Sequence, residues 1–404
     1  MKWASAIAHE KEKRYGSARQ YIDNCVEQIQ FQLSGENPDL AIAFVSPHFI
    51  DEYDHIPELL ASKLGAKHMI GCSAGGLIGG GIEVERQQAI AITAAVLPDV
   101  TIKTFHITDE QLPDLDDSPA KWESLMGIDA ATNPSFMLLP DPFTFHIDTL
   151  VQGLDFAFPT AKKLGGLASG ANRTGMNALF RDAEVHREGA VGAIFSGNVI
   201  VDSVVAQGCR PIGKTFRVTS CKNNFLLELD GQPAVHALKD VLEHLAPEEQ
   251  ELARNSLFLG VVMDEFKEDF KAGDFLIRNI LGIEPRTGAL VVGEVLRNER
   301  TVQFHLRDAS TSAEDLRNLL KEYSEQNSEV HNPDAAGALL FSCLGRGRYL
   351  YGAPNHDSEC FREYLGEIPL GGFFCNGEIG PVGGTTFLHG YTSSFGIFRP
   401  ANVS

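Results

Sequence analysis

The chain has 404 residues, 43% of them hydrophobic, and exceeds the roughly 250–300 residues at which a single core stops growing, so two domains are expected. Its 34 basic and 54 acidic side chains give a formal net charge of −20, spread over short stretches such as DEQLPDLDD (109–117); that surface repels phosphate backbones and anionic lipid and argues against a nucleic-acid partner. No apolar run approaches the ~18 residues of a membrane helix and MKWASAIAHEKEKRYG lacks a signal-peptide hydrophobic region, so a soluble, cytoplasmic protein without membrane insertion is expected.

In chain order, the apolar run DLAIAFVSPHF (39–49) leads to a helical stretch IPELLASKLG (56–65), a run KHMI, the glycine turn GCSAGG (71–76) and the strand-like QQAIAITAAVL. The order returns in SFMLLPDPFTF (135–145), the helical DTLVQGLDFAFPTA, the turn GGLASGANRTG (165–175) and GAVGAIFSGNVIV. A different region follows. Helical periodicity runs through QPAVHALKDVLEHLAP (232–247), then come FLGVVM, GDFLIRNILGIEPRTGALVVGEVL and RTVQFHLRD, with IEPRTG as a hairpin loop through Pro285 and Gly288. The first order then returns in AAGALLFSCLGRG (335–347), helical SECFREYLGEI, the turn GGFFCNGEIGP and TTFLHGYTSSFGIF.

Strands alternating with helices predict an α/β fold, two packed domains of mixed sheets covered by helices. A boundary near residue 222 divides it into 1–222 and 223–404. A repeated strand, helix, strand, glycine turn, strand unit is one way to build it. The glycine corners would lie at strand ends, where α/β proteins place ligand sites.

Several chemistries compete for these corners. GCSAG (71–75) matches the G-x-S-x-G nucleophile elbow, but that motif needs a helix next and GLIGGGIEVER is a poor helix start. Cys72 and Cys375 sit in glycine-flanked turns; a reactive thiol needs a positive field that sequence does not display, and a small buried cysteine is the competing reading. Seven cysteines without a CxxC pair signal neither a zinc cluster nor a thioredoxin-like centre, and reduced thiols are expected. No GK[ST] follows a glycine cluster and GRGRYL lacks the third glycine of a dinucleotide loop, so no nucleotide site is expected.

A binding pocket remains. Bare amides at the glycines, with Arg346, Asn376 and Glu378, suit a small zwitterion such as an amino acid, against the alternative that the glycines serve only turns and bulges. Arg278 and Asn279 are polar within an apolar frame, while His305 and Arg307, two residues apart on one strand, read as a solvated stripe.

The words GCSAGG, GGLASG, FLIRNILGIEPRTGALVVGE, VQFHLRD, FSCLGRG and GGFFCNGEIGP…FLHGYT resemble, in that order, the FIST family, an N-terminal FIST domain followed by a C-terminal one, from about residue 31 to about 390. The resemblance implies a sensory module that binds a small polar ligand, with amino acids the proposed class, and passes its signal to a separate protein, because neither a fused enzyme nor an F-box is evident. The motif positions carried over are Gly71, Cys72 and Ser73; Gly166 and Ser169; Arg278 and Asn279; Arg346; and Asn376, Gly377, Glu378, Gly380 and His389, with Cys375 beside them. No cofactor, metal or catalytic residue is assigned. The alternatives are an enzyme with Cys375, Cys72 or Ser73 as nucleophile, a protein-interaction scaffold, and a haem-based sensor with His389 or another histidine as axial ligand.

Overall fold

The computed structural model describes residues 1–10, 16–267, 269–329 and 335–401. Packing divides the chain into two compact units, Met1–Val205 with Asn318–Ser404, and Ala206–Arg317. The α/β expectation holds, with strands in four sheets and helices packed on them.

The larger unit has three six-stranded sheets. The first runs Lys2–His9, Ala89–Val96, Leu40–Val45, His68–Ser73, Leu179–Arg181, Glu184–His186. The second runs Val100–Ile107, Ala190–Gly197, Ser135–Pro140, Lys163–Gly166, Glu378–Val382, Thr385–His389. The third runs Ile200–Ala206, Ser393–Arg399, Gly337–Cys343, Leu370–Cys375, Gly76–Gly79, Ile82–Glu85. One pattern is therefore built three times. Four strands come from one stretch of chain, interrupted in the third case by the segment Ala206–Arg317, two of them a parallel pair, and a hairpin arrives from another stretch. The hairpin of the first stretch completes the third sheet, that of the second completes the first, and that of the third completes the second. The exchange is cyclic.

Why the strands read as unbroken apolar runs follows from burial on both faces. In Leu40–Val45 the side chains of Leu40, Ile42 and Phe44 enter a core shared with residues of the other two sheets, such as Met137, Leu164, Phe341 and Phe373. Ala41, Ala43 and Val45 alternate to the opposite face, against Tyr21, Ile22 and Leu60 of the helices Ala18–Gln32 and Ile56–Leu64. The second sheet is covered in the same way by Trp122, Leu150 and Leu154.

Sequence periodicity located the parallel pairs but not the first strand of each stretch. It also merged GAVGAIFSGNVIV and TTFLHGYTSSFGIF, each of which contains parts of two strands. One glycine recurs at the same register of each parallel pair. A Cβ on Gly71, Gly165 or Gly372 would lie 1.9 Å from the carbonyl oxygen of Ala43, Leu138 or Leu340 respectively. No side chain fits there.

The smaller unit is a closed barrel of six strands. Arg210–Lys222 pairs with Thr301–Leu306 and also with Phe225–Leu229, and Leu257–Val262, Phe275–Ile283 and Leu290–Val292 complete the circuit. The long strand shifts its register against Thr301–Leu306 between Ile212 and Phe216, where Gly213 has φ +63°. Val218, Leu259, Val261, Val302 and Phe304 fill it with help from Ala237 and Leu238 of the helix Ala234–Glu243. The IEPRTG hairpin forms, with Ile283 opposite Leu290.

The solvated stripe does not form. His305 is 0% and Arg307 5% exposed. His305 lies against Phe275, with ring centroids 4.9 Å apart, and over Gly260, which has no side chain to obstruct it. Period-2 alternation failed as a guide because the end of this strand, Phe304 to Leu306, is buried on both faces, although Thr301 and Gln303 stay half-buried.

Candidate functional site

The three glycine corners meet, and main-chain groups together with the Ser169 hydroxyl join them in a closed ring. Ser169 and Gly170 N–H of the second corner donate to the Ser73 carbonyl of the first, at 3.2 and 3.1 Å. Asn376 N–H of the third donates to Leu167 O of the second (3.2 Å), and Leu167 N–H returns a bond to Gly377 O (2.9 Å). Between the first corner and the third the Ser169 hydroxyl is inserted: it accepts from Gly75 N–H (3.0 Å) and donates to Phe374 O. The Asn376 side-chain amide adds a bond to Ala168 O (3.1 Å). Gly71, Cys72, Ser73, Gly166, Ser169, Cys375, Asn376, Gly377 and Glu378 are thus gathered in one place. Arg278 and Asn279 are not among them; they lie on Phe275–Ile283 of the barrel, where Arg278 is paired with Glu294.

Within the ring the close approaches are steric as well as polar. A Cβ on Gly166 would lie 2.6 Å from Cys375 Sγ, and one on Gly170 2.6 Å from Ser73 Oγ. GCSAGG continues into the strand Gly76–Gly79, not a helix. The Ser73 hydroxyl accepts from Ala178 N–H (3.0 Å) and donates to Asn177 Oδ1 (3.1 Å), whose amide donates to Asp141 (2.8 Å). Burial pushes the Cys72 thiol well above its ordinary range, and burial with the nearby Glu378 charge does the same to Cys375. Both are held as neutral thiols, a poor state for nucleophiles.

Beside the ring runs a strip of buried charge. Arg346, 0% exposed, donates from Nε and Nη2 to the two oxygens of Asp357 (2.9 and 3.1 Å), from Nη2 to Tyr351 Oη (2.6 Å) and from Nη1 to Tyr391 O (3.4 Å). Asp357 also accepts from Ser342 (3.2 Å), from His356 Nδ1 (3.0 Å) and from the Ser393 hydroxyl. Burial works against its charge, but the Arg346 guanidinium and these donors outweigh it and hold the carboxyl well below its usual range. Residues 391–393 carry the strip on to Glu378, whose Oε2 accepts from Thr392 N–H (3.0 Å). His389 lies opposite Glu378 across its hairpin, with Nε2 3.0 Å from Gly380 O. Glu83 comes from the exchanged hairpin of the first stretch. Burial and the Asp357 charge push its carboxyl up to about 8. Perturbed groups of this kind concentrate at functional sites.

Two members of this strip, Asp357 and Glu83, escaped the sequence reading. Asp357 stands in the first turn of the helix His356–Leu365, where an acid commonly serves only the helix dipole. Glu83 alternates with apolar neighbours in IEVE, which reads as a solvent face. Only knowledge of which sheet that hairpin joins would have put the two together.

Family models match in tandem, the FIST N domain over residues 39–232 and the FIST C domain over 234–381. The chain belongs to the FIST family. FIST domains are generally regarded as sensory modules that bind small ligands and signal. The two matches meet inside the barrel unit of this FIST protein. Similar chains include the uncharacterized protein Rv0628c of Mycobacterium tuberculosis, 38% identical over 91% of this chain and 93% of that one. The uncharacterized protein Mb0898c of Mycobacterium bovis is 35% identical over 94% and 96%. An F-box/LRR-repeat protein of Arabidopsis thaliana, At5g63520, is 27% identical over 41% of this chain and 34% of its own. Among the described residues no helix is long and apolar enough to cross a membrane.

Proposed function

We propose that this FIST protein is a sensor of a small polar metabolite, with amino acids the first class to test, and that it signals through a separate protein partner. The observation that carries the reading is the tandem FIST N and FIST C match over most of the chain. The geometry supports it in one respect: the corners are bonded into one ring, so a ligand that moves one corner moves strands of all three sheets. Arg346 and Glu378 already have internal partners in Asp357 and Thr392. Ligand recognition in this reading is an exchange of those partners, which biases the protein between two arrangements.

Thermal unfolding across a panel of amino acids and small polar metabolites tests this, together with native mass spectrometry of freshly isolated protein. A ligand at a hundred times its Kd stabilises the folded state by about 2.7 kcal/mol, so one chemical class is expected to raise Tm, and Glu378→Gln to reduce the rise. A flat panel with no retained small molecule overturns the reading. The segment shared with the F-box/LRR-repeat protein favours one alternative, a ligand-free interaction scaffold; a partner captured equally well with and without the stabilising metabolite would support it.

A further inference from the structure

Two histidines meet face to face where the exchanged hairpin of the first sheet passes the edge of the second. His186 ends the hairpin strand Glu184–His186 and His106 lies on Val100–Ile107; their rings stack with centroids 3.7 Å apart and planes 10° from parallel. Each ring is also held by its own surroundings. His106 Nε2 donates to Glu188 O (2.9 Å), after which the chain turns at Gly189, whose φ is +82° and whose Cβ would lie 2.3 Å from Ile107 O. His186 Nε2 lies 3.3 Å from Glu184 Oε2. A second link ties the same hairpin to both sheets: Asp182 accepts from the Thr104 hydroxyl (2.6 Å) and from Met69 N–H (3.1 Å).

The pair stands close to the glycine ring. His186 is opposite Leu179, and Leu179 is opposite Cys72; Ala178, just before it, donates its N–H to Ser73 Oγ (3.0 Å). Loosening the hairpin at His186 therefore loosens the strand that borders the first corner.

Stacked imidazoles change character with charge. One imidazolium is attracted to the π face of a neutral ring, but two imidazoliums at this separation repel, and such a pair titrates in two coupled steps. Burial, then the neighbouring His106, hold His186 below its ordinary range; Arg181 adds to this and Glu184 opposes it. The other charged groups around the pair are Glu188, His68 with Asp182 (3.7 Å apart), and Arg187, which is paired with Asp54 (2.7 Å). Folded His186 takes up its proton less readily than the unfolded chain does. What the closed contact contributes to stability is thus complete above the ordinary 6.5 and is lost as pH falls below it.

We propose that the stack of His106 on His186 is an acid-sensitive latch: closed at neutral pH, it holds the hairpin Leu179–His186 against the second sheet, and protonation of both rings releases the hairpin and with it the border of the first corner. The device responds to protons alone and does not depend on the metabolite reading above.

The test uses the full chain with labelled histidine, titrated by NMR between pH 8 and pH 5, and hydrogen–deuterium exchange at pH 7 and pH 5 with rates corrected for the intrinsic effect of pH. His106→Phe keeps a ring on His186 and removes the charge; His106→Gln, which keeps an N–H donor, takes its place if the first variant does not fold. In the native chain His186 is expected to titrate in two coupled steps, and in the variant in one step with a midpoint higher by about half a unit or more. Exchange of residues 179–186 should be about tenfold faster at pH 5 than at pH 7 in the native chain and independent of pH in the variant, while the strand Leu40–Val45 of the same sheet stays protected. A His186 midpoint unchanged by the substitution, or equal protection of 179–186 at the two pH values in the native chain, overturns the proposal. So does a loss of protection in Leu40–Val45 as large as that in the hairpin, which would be acid unfolding of the whole unit and not the release of a latch.

Discussion

Ser169 shows how much one small side chain carries. Its hydroxyl bridges the first corner and the third, serving Gly75 N–H and Phe374 O together. Ser169→Ala leaves both groups without that partner in a buried place, and a loss of about 1–3 kcal/mol is expected in urea unfolding. Gly372→Ala is expected to cost at least as much, since its Cβ would meet backbone and not a side chain that can turn aside. Arg346→Met should be worse, about 3–5 kcal/mol, because it strands Asp357 as an uncompensated buried charge; Arg346→Met with Asp357→Leu should recover a large part of that loss. A double variant as unstable as the single one would mean that the pair does not act as a unit. At this scale the sequence disclosed the residue types at the corners. It did not disclose their partners, which lie far away along the chain, 94 positions for Gly75 and 205 for Phe374 as counted from Ser169.

At the scale of elements, the parallel pairs were legible because strands buried on both faces read as continuous apolar runs. The hairpins were not: nothing in IEVE or LFR states which sheet it will join, and each joins one formed by another stretch of chain. The barrel strand Thr301–Leu306 gives the converse case, where alternation suggested a wet face and the end of the element that carries His305 is buried. Burial pushes the His305 imidazole down to about 4 from an ordinary 6.5. Between those values the unfolded chain binds a proton that the folded chain excludes. The contribution to stability is therefore complete above pH 6.5 and is lost as pH falls towards 4, amounting to roughly 3 kcal/mol over the window. His305→Phe should flatten this dependence, seen as a smaller drop in urea midpoint between pH 7 and pH 5 than the native chain shows.

For the whole molecule, the barrel's core from Ile212 to Leu306 is drawn entirely from its own segment, while the three-sheet core needs residues from both ends of the chain. An isolated 206–317 fragment is accordingly expected to unfold cooperatively, with the near-ultraviolet signal of packed aromatics. A fragment ending at residue 205 lacks the hairpin Glu378–His389 and the strands Gly337–Cys343, Leu370–Cys375 and Ser393–Arg399 of the third sheet, and is expected not to form the ring.

From the order of residues alone came the α/β class, the threefold recurrence of strand, helix and glycine corner, the intervening region of different character and the family, because these are written in local periodicity and short words. Tertiary structure decided the cyclic hairpin exchange, the ring that Ser169 closes, and the meeting of Glu83 with Asp357. Those features depend on contacts between positions far apart along the chain, where main-chain hydrogen bonds and the burial of charge determine the outcome and local composition carries no record of them.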